Sequence, residues 1–350
     1  MNLRDLDITP DLLKLIAEID EFKGSWRLLK TLSPERLRSL RHVATIESIG
    51  SSTRIEGSKL SDEAVEQLIA GLETQSFESR DEQEVAGYAQ AMDLVYENHE
   101  RIPFSENYIK QLHRDLLRYS SKDERHRGDY KKHANSVEAF DATGKSVGVI
   151  FETTSPFDTP RKMTELLSWV NEAIDDESLH PLIIVAVFAV VFLAIHPFQD
   201  GNGRLSRILT SLLLLKTGYT YIPYSSMESV IEKNKESYYL ALRRTQTTLE
   251  GDQVHWLPWI RFFLSSLKRQ KDHLDIKLEA HVGENLKGLP QHAVEILEYL
   301  AAHERITTRE AAEITGSGIP TAKSRLKKLV NDGFLSAYGK GRGAFYAKAT

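Results

Sequence analysis

Twelve consecutive residues, HPFQDGNGRLSR from His196 to Arg207, bring together an imidazole, a carboxylate, two guanidiniums and a Gly-Asn-Gly run. His196 can take up a proton near neutral pH. Asp200 is a hard oxygen ligand of the kind Mg²⁺ uses together with phosphate oxygens. Gly201, Asn202 and Gly203 stand where a helix should begin, so the first backbone N–H groups lack intrahelical acceptors and the glycines let a ligand approach closely. Arg204 and Arg207 are i and i+3 and share one face of that helix. Cations in the first turns oppose the helix dipole and cost about 0.3–1 kcal/mol each when exposed. That cost makes sense if a strongly anionic group sits at the helix mouth, and a polyphosphate held bidentately by Arg fits best. The stretch reads as a triphosphate cradle with a metal ligand and a base; the plainer alternative is a helix–loop–helix with a core His and a solvated Arg pair.

Several elements must position these groups. PLIIVAVFAVVFLAI, Pro181 to Ile195, contains no polar side chain and predicts a buried helix ending at His196. At fifteen residues it is shorter than the roughly 18 needed to cross a bilayer. Helices are expected from Pro10, over ERLRSLRHVATIESIGSST, and over SDEAVEQLIAG, where Ser61 is an N-cap and Gly71 a stop. They are also expected over 82–98 and 105–118, and from about Pro160, Pro181, Gly203, Ser229 and His255, with Gly218 closing the one from Gly203. From Asn135 to Pro156, apolar residues surround Asp141-Ala142-Thr143-Gly144, a hairpin signal. Gly144-Lys145-Ser146 within it resembles the end of a phosphate-binding loop, but Ala139 stands where that motif needs Gly, and it is rejected. Helices at Gln291–Ala302, Thr308–Thr315 and Gly318–Asn331, then a hairpin around Gly339–Gly343, follow the winged-helix order.

The central stretch resembles the Fic family motif, H-x-F-x-[D/E]-G-N-G-R-x-x-R, at every fixed position. The resemblance implies a mainly α fold: a Fic-type helical core with a small β-hairpin flap, followed by a C-terminal winged helix-turn-helix domain. It implies transfer of AMP from ATP to a Ser, Thr or Tyr hydroxyl of target proteins, including the chain itself. His196 would deprotonate the hydroxyl and Asp200 hold Mg²⁺. Gly201, Asn202 and Gly203 would form the anion hole, Arg204 contact the phosphates, Arg207 grip the γ-phosphate, and Phe198 pack inward. SSTRIEG, Ser51 to Gly57, is similar to the family's inhibitory motif, with Ser52, Glu56 and Gly57 in place. Ser52 and Glu56 are i and i+4, so they share a helix face. Glu56 would pair with Arg207 and take the place of the γ-phosphate. The region 137–153 corresponds to the flap on which an unidentified target docks by strand addition, and RHRGDYK, Arg125 to Lys131, resembles a segment that precedes it. Tyr238 and Tyr239 in NKESYYLALRR are either base-stacking or core aromatics. The intact Gly-Asn-Gly segment favours AMP over other transferred groups, and AMP removal with help from Glu56 is also open.

Length and charge frame this reading. The 350 residues allow two or three domains. The division expected is 1–80, a helical region carrying the inhibitory helix; 81–270, the catalytic core; 271–288, a linker; and 289–350, the winged-helix domain. Net charge is −5. Residues 317–350 nevertheless carry +6, which leaves −11 elsewhere. In GIPTAKSRLKKLVNDGFL, Ile319, Ala322, Leu326, Leu329 and Val330 should face inward and Lys323, Arg325, Lys327 and Lys328 outward, with Lys340 and Arg342 in the wing. Such a module contacts DNA or docks protein. A second reading is therefore a DNA-binding regulator whose Fic core senses nucleotide. The absence of cysteine excludes disulfides, thiol nucleophiles and Cys-ligated metals. No zinc-ligand spacing occurs, and the metal expected is Mg²⁺ brought with ATP. With no secretory signal or membrane span in view, a cytoplasmic location is expected, with a homodimer among the possible assemblies.

Overall fold

The fold is organised around α7 (Pro181–Ile195), and thirteen of its fifteen residues are buried. At about 1.5–3 kcal/mol for each fully buried large apolar side chain, this helix is a leading source of core stability. The computed structural model of the chain describes residues 3, 6–28, 33–72, 77, 79–140, 146–177, 179–287, 290–339 and 344–348. The chain divides into two compact units, Met1–Trp26 with Pro34–His273, and Arg27–Ser33 with Leu274–Thr350.

The first unit is helical apart from one hairpin. In order it contains α1 (Pro10–Leu28), α2 (Pro34–Ile55), α3 (Asp62–Ala70), α4 (Arg80–Asn98) and α5 (Glu106–Leu116). Strands β1 (Ser136–Phe140) and β2 (Ser146–Glu152) follow, then α6 (Thr159–Asp175), α7, α8 (Asn202–Lys216), α9 (Met227–Lys233), α10 (Lys235–Gln246) and α11 (Leu257–Lys287), which belongs to this unit as far as His273. α7 packs on α6 and α8, and α8 touches α2, α4 and α5. The Trp259 indole N–H donates to the Ala186 carbonyl at 2.6 Å and ties α11 to α7. Helix starts follow the capping signals: Ser61 caps α3, and Ser79 with Glu82 forms a capping box on α4. Gly218, at φ +88°, ends α8 as expected, with Tyr219 N–H donating back to Leu214 O at 2.9 Å.

β1 and β2 pair antiparallel from Ser136↔Glu152 to Phe140↔Ser146, with irregularities at Val137/Glu138 and Ala139/Phe140. The expected turn, 141–145, lies outside the described residues. Segment 271–288, read as a linker, is helical as far as Lys287.

The second unit has α12 (Gln291–Ala302), β3 (Ile306–Thr307), α13 (Thr308–Ile314), α14 (Ile319–Asn331), β4 (Leu335–Tyr338) and β5 (Phe345–Lys348). Its sheet order is β3-β5-β4, antiparallel, over a core that includes Ile296, Leu300, Ala322, Leu326 and Leu329. β3 is a two-residue strand too short to leave a periodic signal. Two details differ from the expected helix face. Ile319 is 50 % exposed, because it opens α14 and precedes the turns that reach the core. Arg325 is half-buried rather than fully outward. Lys340 and Arg342 lie outside the described residues.

Candidate active site

His196 follows the last residue of α7 and adopts a left-handed backbone conformation, φ +52° and ψ 58°, with its N–H donating to Phe192 O at 2.8 Å. For a non-glycine residue that conformation costs about 1–2 kcal/mol, and it persists because packing on both sides fixes it. It turns the chain sharply into the Pro197–Gly201 loop. Nδ1 lies 3.3 Å from the Leu193 carbonyl, which can only accept, so Nδ1 carries the proton and Nε2 keeps its lone pair. Burial, then the Lys131 cation, pushes the imidazole down to about 4. It is therefore neutral at physiological pH and competent to accept a proton.

The loop is pinned from within. Asn202, fully buried, accepts the Phe198 N–H with Oδ1 and donates from Nδ2 to the Phe198 carbonyl, both at 2.8 Å. Its side chain thus shapes the loop, and only its main chain is left for an anion. Gly201 caps α8 with φ +78°. The first-turn amides of Asn202, Gly203 and Arg204 have no acceptor within the helix and lie at its positive end.

Phe198 is buried, as expected, and stacks on His113 of α5 with centroids 3.8 Å apart. His113 Nδ1 accepts the Gly128 N–H at 2.8 Å, so its Nε2–H donates to the Asp200 carbonyl at 3.0 Å. Burial pushes this imidazole down to about 4 as well, which suits a ring whose neutral tautomer is fixed on both sides.

The two arginines have different partners although they share a helix face. Arg204, 2 % exposed, pairs with Glu84 of α4 at 3.1 Å and with Asp200 at 3.2 Å. Arg80 reaches Asp200 from α4 at 3.4 Å. Burial would raise the Asp200 carboxyl, but Arg204, the Gly201 N–H and Arg80 outweigh it and hold the group below the usual carboxylate range. Asp200 Oδ1 accepts from Gly201 N–H at 2.5 Å.

Arg207 faces α2. Its Nε donates to Ser52 Oγ at 2.7 Å, and its Nη2 donates to Ser52 O at 3.0 Å and to Glu56 Oε1 at 2.8 Å. Glu56 stands one residue beyond the end of α2, where the helix dipole disfavours an anion. Arg207 lies in an early turn of α8, where the dipole disfavours a cation. Each unfavourable charge meets the other, and the Glu56 carboxylate lies at the α8 mouth, so close to Gly203 that a Cβ there would run into it. Burial pushes the Glu56 carboxyl up, but Arg207 above all, with Arg204 and His196, draws it below its ordinary range. Gly57 reverses the chain at φ +109°, and Ser58 N–H bonds Thr53 O at 3.0 Å. Arg54 fastens the same helix end: Nε bonds Glu232 of α9 at 2.7 Å and Nη1 bonds Asp62 of α3 at 2.8 Å.

These contacts bring His196, Asp200, Gly201 to Arg204, Arg207, Ser52 and Glu56 into one neighbourhood. Residues 103–214 match the Fic/DOC family, a span that contains the whole His196–Arg207 stretch. That segment is similar to the Fic/DOC family. Residues 291–336 match the winged helix-turn-helix DNA-binding family. A curated Drosophila grimshawi protein, protein adenylyltransferase Fic, is 32% identical over 117 residues, which cover 33% of this chain and 22% of that protein. The chain thus spans about a fifth of the length of that relative. The crystal structure of a Fic family protein from Desulfovibrio desulfuricans superposes with TM-score 0.61 and 22% identity over 98% of this chain and 97% of the other, a likeness of fold. A Fic domain containing signaling protein from Bacteroides thetaiotaomicron gives TM-score 0.60 and 26% identity over 73% of this chain and 95% of its own.

Around the Fic motif, the fold adds residues that sequence reading missed: Arg54, Arg80, Glu84, His113 and Lys131. Only Arg80 and Glu84 leave a trace, an i, i+4 pair of opposite charge. Arg54 and Lys131 fall inside the SSTRIEG and RHRGDYK segments, which mark no role for them, and His113 sits on a helix face with nothing local to mark it. Tyr238 resolves as a core aromatic, packed edge-on to Trp259 at 5.8 Å, while Tyr239 is half-buried.

Proposed function

We propose that the chain transfers AMP from ATP to a hydroxyl of a target protein and that Glu56 holds this activity down. The observation that carries the reading is the Glu56 carboxylate at the mouth of α8, bonded to Arg207 beside a neutral His196. In the reaction, the hydroxyl proton passes to His196 Nε2 as its oxygen bonds to the α-phosphorus. The bond from that phosphorus to the bridging oxygen breaks, and pyrophosphate leaves. The first-turn amides of α8 and the freed Arg207 hold phosphate oxygens, and Arg204 and Asp200 keep each other in place.

The residues present fit Mg²⁺: Asp200 is an ionised oxygen donor next to the phosphate site, and this metal commonly takes one or two carboxylates, phosphate oxygens and waters. Bound there, it would neutralise phosphate charge. Among the described residues no group of three or more His, Cys, Asp or Glu forms a metal site.

With Glu56 in place, its carboxylate repels a γ-phosphate and occupies its cation. ATP then lies with its α-phosphate out of line, and small misplacements at a reacting centre are costly. The hairpin around 137–153 serves as the docking strand for the target. The four-part division at 80, 270 and 288, a cytoplasmic location and a homodimer belong to this proposal. A second reading, a DNA-binding regulator in which the Fic core senses nucleotide, draws support from the winged helix-turn-helix match and the basic face of α14.

Intact-mass analysis of wild type, Glu56→Gly and Glu56→Gly with His196→Ala, each with ATP and Mg²⁺, tests the reading. One added AMP is expected in Glu56→Gly alone. Equal labelling of all three, or none of Glu56→Gly, rejects it.

A further inference from the structure

Lys131 is a lysine with 3 % exposure and no carboxylate partner among the described residues. Burying an ammonium costs several kcal/mol unless its hydrogen bonds are met. Here all three are met, each by a neutral oxygen. Nζ donates to Thr153 Oγ1 at 2.7 Å, to Asn135 Oδ1 at 2.9 Å and to Ile195 O at 3.0 Å. These acceptors are not scattered. Asn135 immediately precedes β1, Thr153 immediately follows β2, and the Ile195 carbonyl immediately precedes His196.

The junction is reinforced around the ammonium. Thr153 Oγ1 lies 2.6 Å from Asn135 Oδ1 and closes the two feet of the hairpin on each other. Asn135 Nδ2 donates to Phe198 O, and Lys131 N–H donates to Pro197 O, both at 2.9 Å. Thr154 N–H reaches Ala194 O at 3.3 Å. The carbonyls of Ala194, Ile195, Pro197 and Phe198 are therefore bound to the base of the hairpin, on both sides of His196. A purely structural plug at this point would be an apolar side chain, which avoids the cost of desolvating a charge. Three convergent oxygens from three segments instead call for a single atom with three donors, which the ammonium supplies.

We infer that Lys131 is a positioning residue for the proposed AMP transfer, clamping both feet of the docking hairpin to the carbonyl before His196 and so fixing the distance from the docked hydroxyl to the imidazole. The inference rests on the AMP-transfer function proposed for this site. A strand added to the hairpin inherits its position from the hairpin's feet, and the imidazole inherits its position from Ile195. Lys131 is the one side chain that bonds to all three places among the described residues. Its charge also contributes to keeping His196 neutral, second to burial.

The test uses the full chain with Glu56→Gly as parent. Lys131→Met and Lys131→Arg are added, and three quantities are read: the rate of AMP addition by intact mass, affinity for a non-hydrolysable ATP analogue by calorimetry, and the melting temperature. Lys131→Met should lower the rate by about 10- to 100-fold. Analogue affinity should stay within about threefold, since Lys131 is placed on the hairpin side rather than on the phosphates, and Lys131→Arg should recover little of the rate, because no single guanidinium nitrogen carries three donors. A Lys131→Met rate within about twofold of the parent overturns the inference, as does a loss of analogue affinity that accounts for the whole loss of rate. If Lys131→Met does not fold, Thr153→Val removes one acceptor and keeps the ammonium. It should slow transfer several-fold at unchanged analogue affinity, and an unchanged rate overturns the inference. A parent that adds no AMP rejects the functional reading and the inference together. An active parent with an unaffected Lys131→Met rejects the inference alone.

Discussion

Glu56 and Arg207 are 151 positions apart in the chain, yet Oε1 of one lies 2.8 Å from Nη2 of the other. The contact joins the end of one helix to the start of another, and each charge relieves a dipole penalty on its partner. The same guanidinium also holds the Ser52 hydroxyl and carbonyl, so α2 is attached to the Fic motif at two levels one turn apart.

Ser52→Ala should destabilise the first unit. It leaves the buried Arg207 Nε–H without its acceptor, at a cost of about 1–3 kcal/mol. At roughly 2–4 °C per kcal/mol, the melting temperature should fall by several degrees, as a thermal melt would read. A melt unchanged within a degree contradicts the bond to Arg207.

Arg54→Ala should partly release inhibition. Arg54 holds the end of α2 to Glu232 and Asp62 but does not touch the phosphate site. Losing these partly exposed charged bonds is worth about 1–2 kcal/mol, which is about a 5- to 30-fold shift toward a displaced Glu56. Initial rates of AMP addition should rise by that order and remain below those of Glu56→Gly. A rate no higher than wild type counts against the role given to this anchor.

The pH dependence of stability follows from two histidines. His113 and His196 are both held down to about 4 by burial, against 6.5 in the unfolded chain. Between those values the unfolded state binds more protons, so stability rises with pH. It is fully present above about 6.5 and is lost as pH falls toward about 4, at up to roughly 1.4 kcal/mol per pH unit for each group. Melts at pH 7, 6 and 5 should show a growing drop, and His113→Phe should flatten part of it. In the active Glu56→Gly form, the acid limb of the rate profile should lie below pH 6; a midpoint at 6.5 would mean that His196 is not buried as described.

Gly87→Ala should be strongly destabilising although it adds one methyl group. A Cβ at this position of α4 would collide with the Leu116 backbone carbonyl at the end of α5, which cannot swing aside as a side chain would. Overpacking of this kind costs about 1–3 kcal/mol or more. Because α5 carries His113 under Asp200, AMP addition in the Glu56→Gly background should fall with it. Normal melting would show that α4 and α5 are not in such close contact.

The exposed cations of α14 make the DNA reading measurable. Lys323, Lys327 and Lys328 are exposed. If they meet phosphates, the full chain's affinity for duplex DNA should fall with salt. Replacing all three by Ala should then reduce the slope by about 0.9 for each phosphate no longer neutralised. Absence of salt-dependent binding in the wild type would assign this face to protein docking or solvent.

The sequence alone determined the parts of this protein that are local. The His196–Arg207 motif, the buried run before it, the capped helices and the hairpin with its turn signal each arise from neighbours within a few residues, where helix and strand periodicities act. It also paired Glu56 with Arg207, but only through resemblance to a known family, since no spacing rule spans such a separation. What the tertiary structure decided is where each charge goes. It directs Arg204 to Glu84 and Asp200 while Arg207 turns to α2, places His113 beneath the Asp200 carbonyl, spends the Asn202 side chain on the loop, and gathers three oxygens on Lys131. It likewise leaves Ile319 exposed on a helix whose pattern pointed it inward. The physical reason is common to these cases. Buried polar groups must find partners, and which partners are in reach is set by how helices pack around α7, not by any property of the residues read one after another.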